Sequence, residues 1–324
     1  MKFLFDNDIS MHPLEGKMIA VIGFGSQGEA QAQNMKDSGL NVIIGLRKNS
    51  KSAKPAREYG FEVLDVSEAV KKADIVHLLI PDEEQPAVYK KQIAPFLGEK
   101  KSLCFSHGFN IVFKKIAPPK NIDVFMVSPH APGPPVRNLY LEGKGAAAMV
   151  CVHQNASGKA RETVLAVAKG CGFARTGVYE TTFEQETFSD LFAEQAVLCG
   201  GLSELVKKGF ETMVEAGYPK ELAFLSCAYE IRLIADLVST KGIEGMWGKV
   251  SNTAEFGGRT RGPKIIDGSV KKRMRQLLKE VESGKFAKEW GKEFDGGAKK
   301  LKKLRKEGKK SEIEKAFKIL ARIK

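Results

Sequence analysis

No apolar run in this chain of 324 residues approaches the roughly 18 residues of a membrane-spanning helix, and its start, M-K-F-L-F-D-N-D, lacks a secretory signal core. A membrane partner is therefore not expected, and a cytoplasmic setting is. Cysteine is sparse: Cys104, Cys151, Cys171, Cys199 and Cys227 stand singly in apolar contexts. Without C-x-x-C spacing they argue against zinc and for small buried thiols in a reducing compartment. No internal repeat is evident. Nor is any aromatic residue interleaved with the strongest positive block, K-K-L-K-K-L-R-K-E-G-K-K over 299–310, where eight Lys or Arg stand against one Glu. The net charge of +13 would otherwise suggest nucleic acid; lacking a stacking platform, the block reads as a solvated helix face.

What is present is an ordinary globular composition, 43% hydrophobic and 28% charged, long enough for two domains with separate cores. Met18 to Ile22 is a continuous apolar run of strand length that empties into G-F-G-S-Q-G. Gly23, Gly25 and Gly28 thus form G-x-G-x-x-G between a strand and the helix-forming E-A-Q-A-Q-N-M-K. In that context the glycines permit a tight turn and let the backbone approach a pyrophosphate at a helix N-terminus. Ser26 and Gln27 lie inside this fingerprint and are expected to join the cofactor site. The next strand ends in G-L-R-K-N-S-K-S, where an NAD site would offer an acidic residue. Arg47, Lys48, Ser50, Lys51 and Ser52 instead suit a phosphate ester, so the expected cofactor is NADPH.

The β-α-β alternation continues to about His153, with strands expected at 61–64, 74–80, 102–106, 124–128 and 146–153, and predicts a mostly parallel, doubly wound α/β sheet. Its strand ends supply further candidates: Pro81 and Asp82 for the cofactor, then His107 in S-H-G-F-N. His130 follows in the proline-stiffened loop S-P-H-A-P-G-P-P, together with Gly133 as a cofactor residue. Either histidine at such a place could shuttle a proton or orient substrate, or be structural.

Beyond Glu180 the strand rhythm gives way to helices, expected at 183–210, 211–217, 221–240 and 269–282, with S-N-T-A-E-F-G-G-R-T-R-G-P as a connector. The domains are accordingly read as 1–181 and 182–324. Leu191 to Leu205 and Leu222 to Val238 are apolar all round, which marks buried helices and more apolar surface than one such domain covers, so a second copy of the chain is the expected partner. Asp190 and Glu194, four apart, share a helix face, as do Ser226 and Glu230. Buried carboxylates need a cation; an Arg or Lys partner and a divalent metal are both open on spacing alone, and Glu230 turns the reading toward a metal held between helices.

V-I-G-F-G-S-Q-G, G-L-R-K-N-S-K-S, S-H-G-F-N-I, E-T-T-F-E-Q-E-T-F-S-D-L-F-A-E-Q-A-V-L-C-G-G-L and S-N-T-A-E-F-G-G, in this order from about Leu14 to the tail, resemble the short class of ketol-acid reductoisomerases. The resemblance implies a Rossmann domain followed by a knotted helical domain, and a homodimer with intertwined helical domains. It further implies NADPH- and Mg2+-dependent alkyl migration and reduction of 2-acetolactate or 2-aceto-2-hydroxybutyrate, in branched-chain amino-acid biosynthesis. Residue by residue, Asp190, Glu194 and Glu230 match metal ligands, Ser251 the serine that holds the substrate carboxylate, and His107 the histidine of its segment.

Four departures stand out. Ser226 replaces a second glutamate, His130 a lysine near the metals, Glu29 a histidine, and Pro134-Pro135 a more polar pair. Two magnesium ions carry four positive charges, which four carboxylates balance and three do not, so weak or absent binding of the second ion is expected. Alkyl migration leans on both metals while reduction can use one. The alternatives are therefore a relative that reduces another 2-keto or 3-hydroxy-2-keto acid without isomerising it, and a non-catalytic NADPH-binding protein.

Overall fold

The computed structural model describes residues 3–321, and the chain divides between Thr187 and Phe188 into two compact units. In the first unit, β1 (Phe3–Leu4) precedes β2 (Met18–Ile22), α1 (Ser26–Asp37), β3 (Asn41–Leu46), α2 (Ala53–Glu58), β4 (Glu62–Asp65), α3 (Val66–Lys72) and β5 (Ile75–Leu78). Then follow α4 (Gln85–Val88), β6 (Ser102–Phe105), α5 (Phe109–Val112), β7 (Asp123–Pro129), α6 (Gly133–Leu141), β8 (Ala148–Gln154), α7 (Ala160–Gly170) and β9 (Val178–Glu180). The nine strands form one sheet in the order β1-β9-β8-β7-β6-β5-β2-β3-β4.

β4, β3, β2, β5, β6 and β7 pair in parallel, whereas β8 runs antiparallel to β7 and β1 antiparallel to β9. The expected doubly wound sheet is present, and it is mixed. Its central strands read as unbroken apolar runs because both faces are covered: Ile19, Ala20, Val21 and Ile22 have no exposed surface. Alternate residues feed two cores, Ile19 and Val21 on one face and Ala20 and Ile22 on the other. Each buried isoleucine contributes about 1.5–3 kcal/mol of transfer free energy. From β2 the chain moves outward through β3 and β4, then returns to the other side of β2 as β5. That reversal opens a crevice at the carboxyl ends of β2 and β5.

In the second unit, α8 (Phe183–Ala193), which begins in the first, is followed by a π-turn at Glu194–Leu198, α9 (Gly200–Glu215), α10 (Lys220–Phe224), a second π-turn at Leu225–Tyr229 and α11 (Ile231–Trp247). Then come α12 (Asn252–Ile265), α13 (Gly268–Glu282), α14 (Lys285–Asp295), α15 (Lys299–Gly308) and α16 (Glu312–Leu320). Arg322 and Ile323, which end the amphipathic tail run, lie outside the described residues. No helix among the described residues is long and apolar enough to cross a membrane.

Several expectations are corrected. The proline-stiffened loop turns into α6, because Pro134 and Pro135 fall in its first turn, where a missing N–H costs no hydrogen bond. The supposed connector is α12, opened by Ser251, whose Oγ accepts from the Ala254 N–H at 3.2 Å. The all-round apolar helices are not buried within one chain: Leu198 is 61%, Tyr229 62% and Leu233 51% exposed. Among the described residues one side of them is covered, at Ala196 and Ala223, and the side carrying Leu198, Tyr229 and Leu233 is exposed.

Candidate active site

The strand end of β2 is shaped for a close backbone approach. Gly23 has φ +103°, and a Cβ there would lie 2.8 Å from the Leu79 carbonyl oxygen; one at Gly28 would lie 2.5 Å from the Gly23 oxygen. At Gly25 it would meet nothing within 4 Å, leaving open the backbone that caps α1. No side chain caps that helix, so its first N–H groups are available to an anion. Beside it lies a cavity of about 270 Å³ lined by Gly23, Gly25, Arg47, Ser50, Ser52 and Pro81, among others. These residues fit a dinucleotide whose ribose bears a phosphate.

The remaining fingerprint residues do a different job. Ser26 Oγ accepts from the Gly133 N–H at 3.2 Å, and Gln27 Nε2 donates to the Ala131 carbonyl at 2.8 Å. They fasten the segment after His130 to α1, so closely that a Cβ on Gly133 would sit 1.9 Å from the Ser26 carbonyl oxygen. His130 is exposed. Asp82 braces the next strand end: its carboxylate accepts from Gln85 Nε2 at 3.1 Å and its carbonyl from Asn110 Nδ2 at 2.9 Å.

At the end of β6, His107 meets Glu186, which lies outside the residues expected from the sequence. Glu186, on the first turns of α8, has no exposed surface. Its Oε1 lies 3.1 Å from His107 Nδ1 and accepts from Ser128 Oγ at 2.8 Å; Oε2 accepts from the Gly108 N–H at 3.1 Å and from Thr187 Oγ1 at 3.2 Å. Burial alone would raise its carboxyl, but the hydrogen bond and charge of His107, with Ser128 and Gly108, hold it below the usual carboxylate range. A carboxylate at Nδ1 fixes the orientation of the ring.

Asp190 follows Glu186 by one turn of α8. The two carboxylates therefore share one face of that helix. Glu194 opens the first π-turn; Ser226 lies in the second and Glu230 directly after it. All three are exposed in the single chain, as is Ser251.

Residues 13–177 match the acetohydroxy acid isomeroreductase NADPH-binding domain, and residues 183–323 the ketol-acid reductoisomerase C-terminal domain. A ketol-acid reductoisomerase (NADP(+)) of Methanocaldococcus jannaschii is 50% identical over 100% of this chain and 98% of its own length. That of Methanothermobacter thermautotrophicus is 52% identical over 97% and 96%. The structure of an NADH-preferring ketol-acid reductoisomerase from an uncultured archean superposes with TM-score 0.98 at 48% identity, covering 100% of this chain and 99% of that one. A semialdehyde dehydrogenase NAD-binding protein from Cupriavidus necator, 19% identical with TM-score 0.64 over 82% of this chain and 98% of that one, shares the fold alone. On two family models and full-length identity of about one half, the chain belongs to the ketol-acid reductoisomerase family.

Proposed function

We propose that the chain is an NADPH-dependent ketol-acid reductoisomerase that rearranges 2-acetolactate or 2-aceto-2-hydroxybutyrate by alkyl migration and reduces the product, a step of branched-chain amino-acid biosynthesis. The observation that carries this reading is the His107–Glu186 pair at a strand end of the dinucleotide crevice, with Asp190 one helical turn beyond. Bound NADPH supplies a hydride, and bound Mg2+ polarises the substrate's hydroxyl and carbonyl oxygens. The glycine loop with Arg47, Ser50 and Ser52 holds the first, and Pro81, Asp82 and Gly133 shape its surroundings. Asp190, Glu194 and Glu230 hold the metal. His107, its ring fixed through Nδ1, moves a proton at Nε2, Ser251 holds the substrate carboxylate, and His130 stands near the substrate.

Glu194 and Glu230 lie exposed in one chain, in or directly after the same π-turn segments as the uncovered apolar residues Leu198, Leu225 and Tyr229, and Ser251 is exposed as well. A homodimer that buries this surface would enclose those ligands too, so we assign the complete site to the dimer. Five unpaired cysteines suit the cytoplasm.

Ser226 favours one second reading, a reductase that has lost the isomerisation. NADPH oxidation by the purified protein with Mg2+ separates the two, using 2-acetolactate in one assay and 3-hydroxy-3-methyl-2-oxobutanoate in another. Turnover of both supports the proposal, turnover of the second alone supports the reductase, and turnover of neither contradicts both.

A further inference from the structure

A chain of buried polar groups runs beneath the strand ends. His77, on β5, has no exposed surface, and burial pushes its imidazole down to about 3, so the ring is neutral and carries one proton. Its Nε2 lies 3.2 Å from Ser106 Oγ, while Nδ1 has no partner among the described residues. Gln31, on α1 and equally buried, donates from Nε2 to the same Ser106 oxygen at 3.1 Å and to Gln27 Oε1 at 3.0 Å. Gln27 continues to the Ala131 carbonyl.

Counting protons orients the chain. A serine hydroxyl has one hydrogen and two acceptor sites, and Gln31 fills one of the latter. A proton on His77 Nδ1 would be a buried donor without an acceptor, the rarer kind of orphan in folded proteins. With the proton on Nε2, the ring donates to Ser106 and leaves only a bare lone pair behind. Both acceptor sites of Ser106 are then filled, and its hydroxyl hydrogen is left for something else.

Ser106 is half-buried at the carboxyl end of β6, next to His107. A dinucleotide with its ribose phosphate at Arg47, past β3, and its pyrophosphate at the start of α1, past β2, continues along the sheet order β3-β2-β5-β6. Its nicotinamide half therefore arrives at Ser106. We propose that Ser106 is a cofactor-positioning residue: its hydroxyl, held donor-only by His77 and Gln31, donates to the carboxamide oxygen of the nicotinamide. This rests on the NADPH reading of the same crevice.

Isothermal titration calorimetry of the full-length protein without substrate tests it, with NADPH and its reduced thionicotinamide analogue, whose carboxamide oxygen is replaced by sulfur, a weak acceptor. Wild type should bind the analogue about 3- to 10-fold more weakly than NADPH. Ser106→Ala should lose the same factor for NADPH and nothing for the analogue. Ser106→Thr should retain the preference for NADPH. Equal losses for both cofactors in Ser106→Ala, or no loss, would overturn the proposal. So would a change confined to the KM of the keto-acid substrate, which would assign the acceptor oxygen to the substrate. No NADPH binding by wild type would overturn the cofactor reading itself and this proposal with it.

Discussion

The Nδ1 of His107 lies 3.1 Å from a Glu186 oxygen that no solvent reaches. The pair joins the end of β6 to α8, and its carboxylate receives hydrogen-bonding contacts from His107, Gly108, Ser128 and Thr187.

Glu186→Gln keeps the shape and removes the charge, so the imidazole loses the partner that fixes its proton. The expected result is a fall in kcat of about a hundredfold with little change in the KM for NADPH. Because the folded carboxyl titrates below its ordinary value of 4.5, its contribution to stability is fully present above that value and is lost as pH falls through the folded pKa. The Tm gap between wild type and Glu186→Gln should therefore be constant at neutral pH and shrink below about pH 4.5. Differential scanning calorimetry across pH reads it, and a gap that widened on acidification would contradict the assignment.

Arg47 is exposed and lines the cavity with Ser50 and Ser52. Arg47→Ala should raise the KM for NADPH about 10- to 100-fold, the range of a hydrogen bond to a charged group, and leave that for NADH nearly unchanged. Steady-state kinetics with both cofactors decides; equal loss for both would remove the ribose phosphate from this position.

Gly133→Ala places a methyl group 1.9 Å from the Ser26 carbonyl oxygen, backbone that cannot rotate away. We expect a loss of about 1–3 kcal/mol, an overpacking cost, with weaker NADPH binding as the His130 segment lifts from α1. Urea unfolding gives the first and calorimetry the second. An unchanged midpoint would show that the loop yields freely.

Much of the first unit could be read directly. The apolar run 18–22, the glycines after it and the basic strand end at Arg47 each follow from local chemistry, and each is where the sequence puts it. The misses have identifiable causes. Pro134-Pro135 suggests a loop, yet proline is at home in a first helical turn and the pair opens α6. Phe3–Leu4 and Val178–Glu180 are too short to show a period, and their pairing with each other is long-range. Glu186 was legible and passed over: it precedes Asp190 by the same four residues that singled out Asp190 and Glu194. Its partners Ser128 and Gly108 are 58 and 78 residues away, beyond any local pattern.

The exposed apolar face of the helical unit predicts its own behaviour. Wild type should be a dimer by light scattering at micromolar concentration, and Leu198→Asp or Leu233→Asp, each placing a charge on that face, should shift it to monomer with loss of activity. A wild-type monomer would remove the dimer from the account.

The most direct test of the metal-gripping cluster is Mn2+ binding followed by electron paramagnetic resonance in the presence of NADPH. The expected result is a bound ion that Mg2+ displaces, that Asp190→Asn abolishes, and that Ser226→Glu with His130→Lys supplements with a second, tighter ion and faster turnover of 2-acetolactate. Wild-type protein that leaves all the Mn2+ free in solution would contradict it.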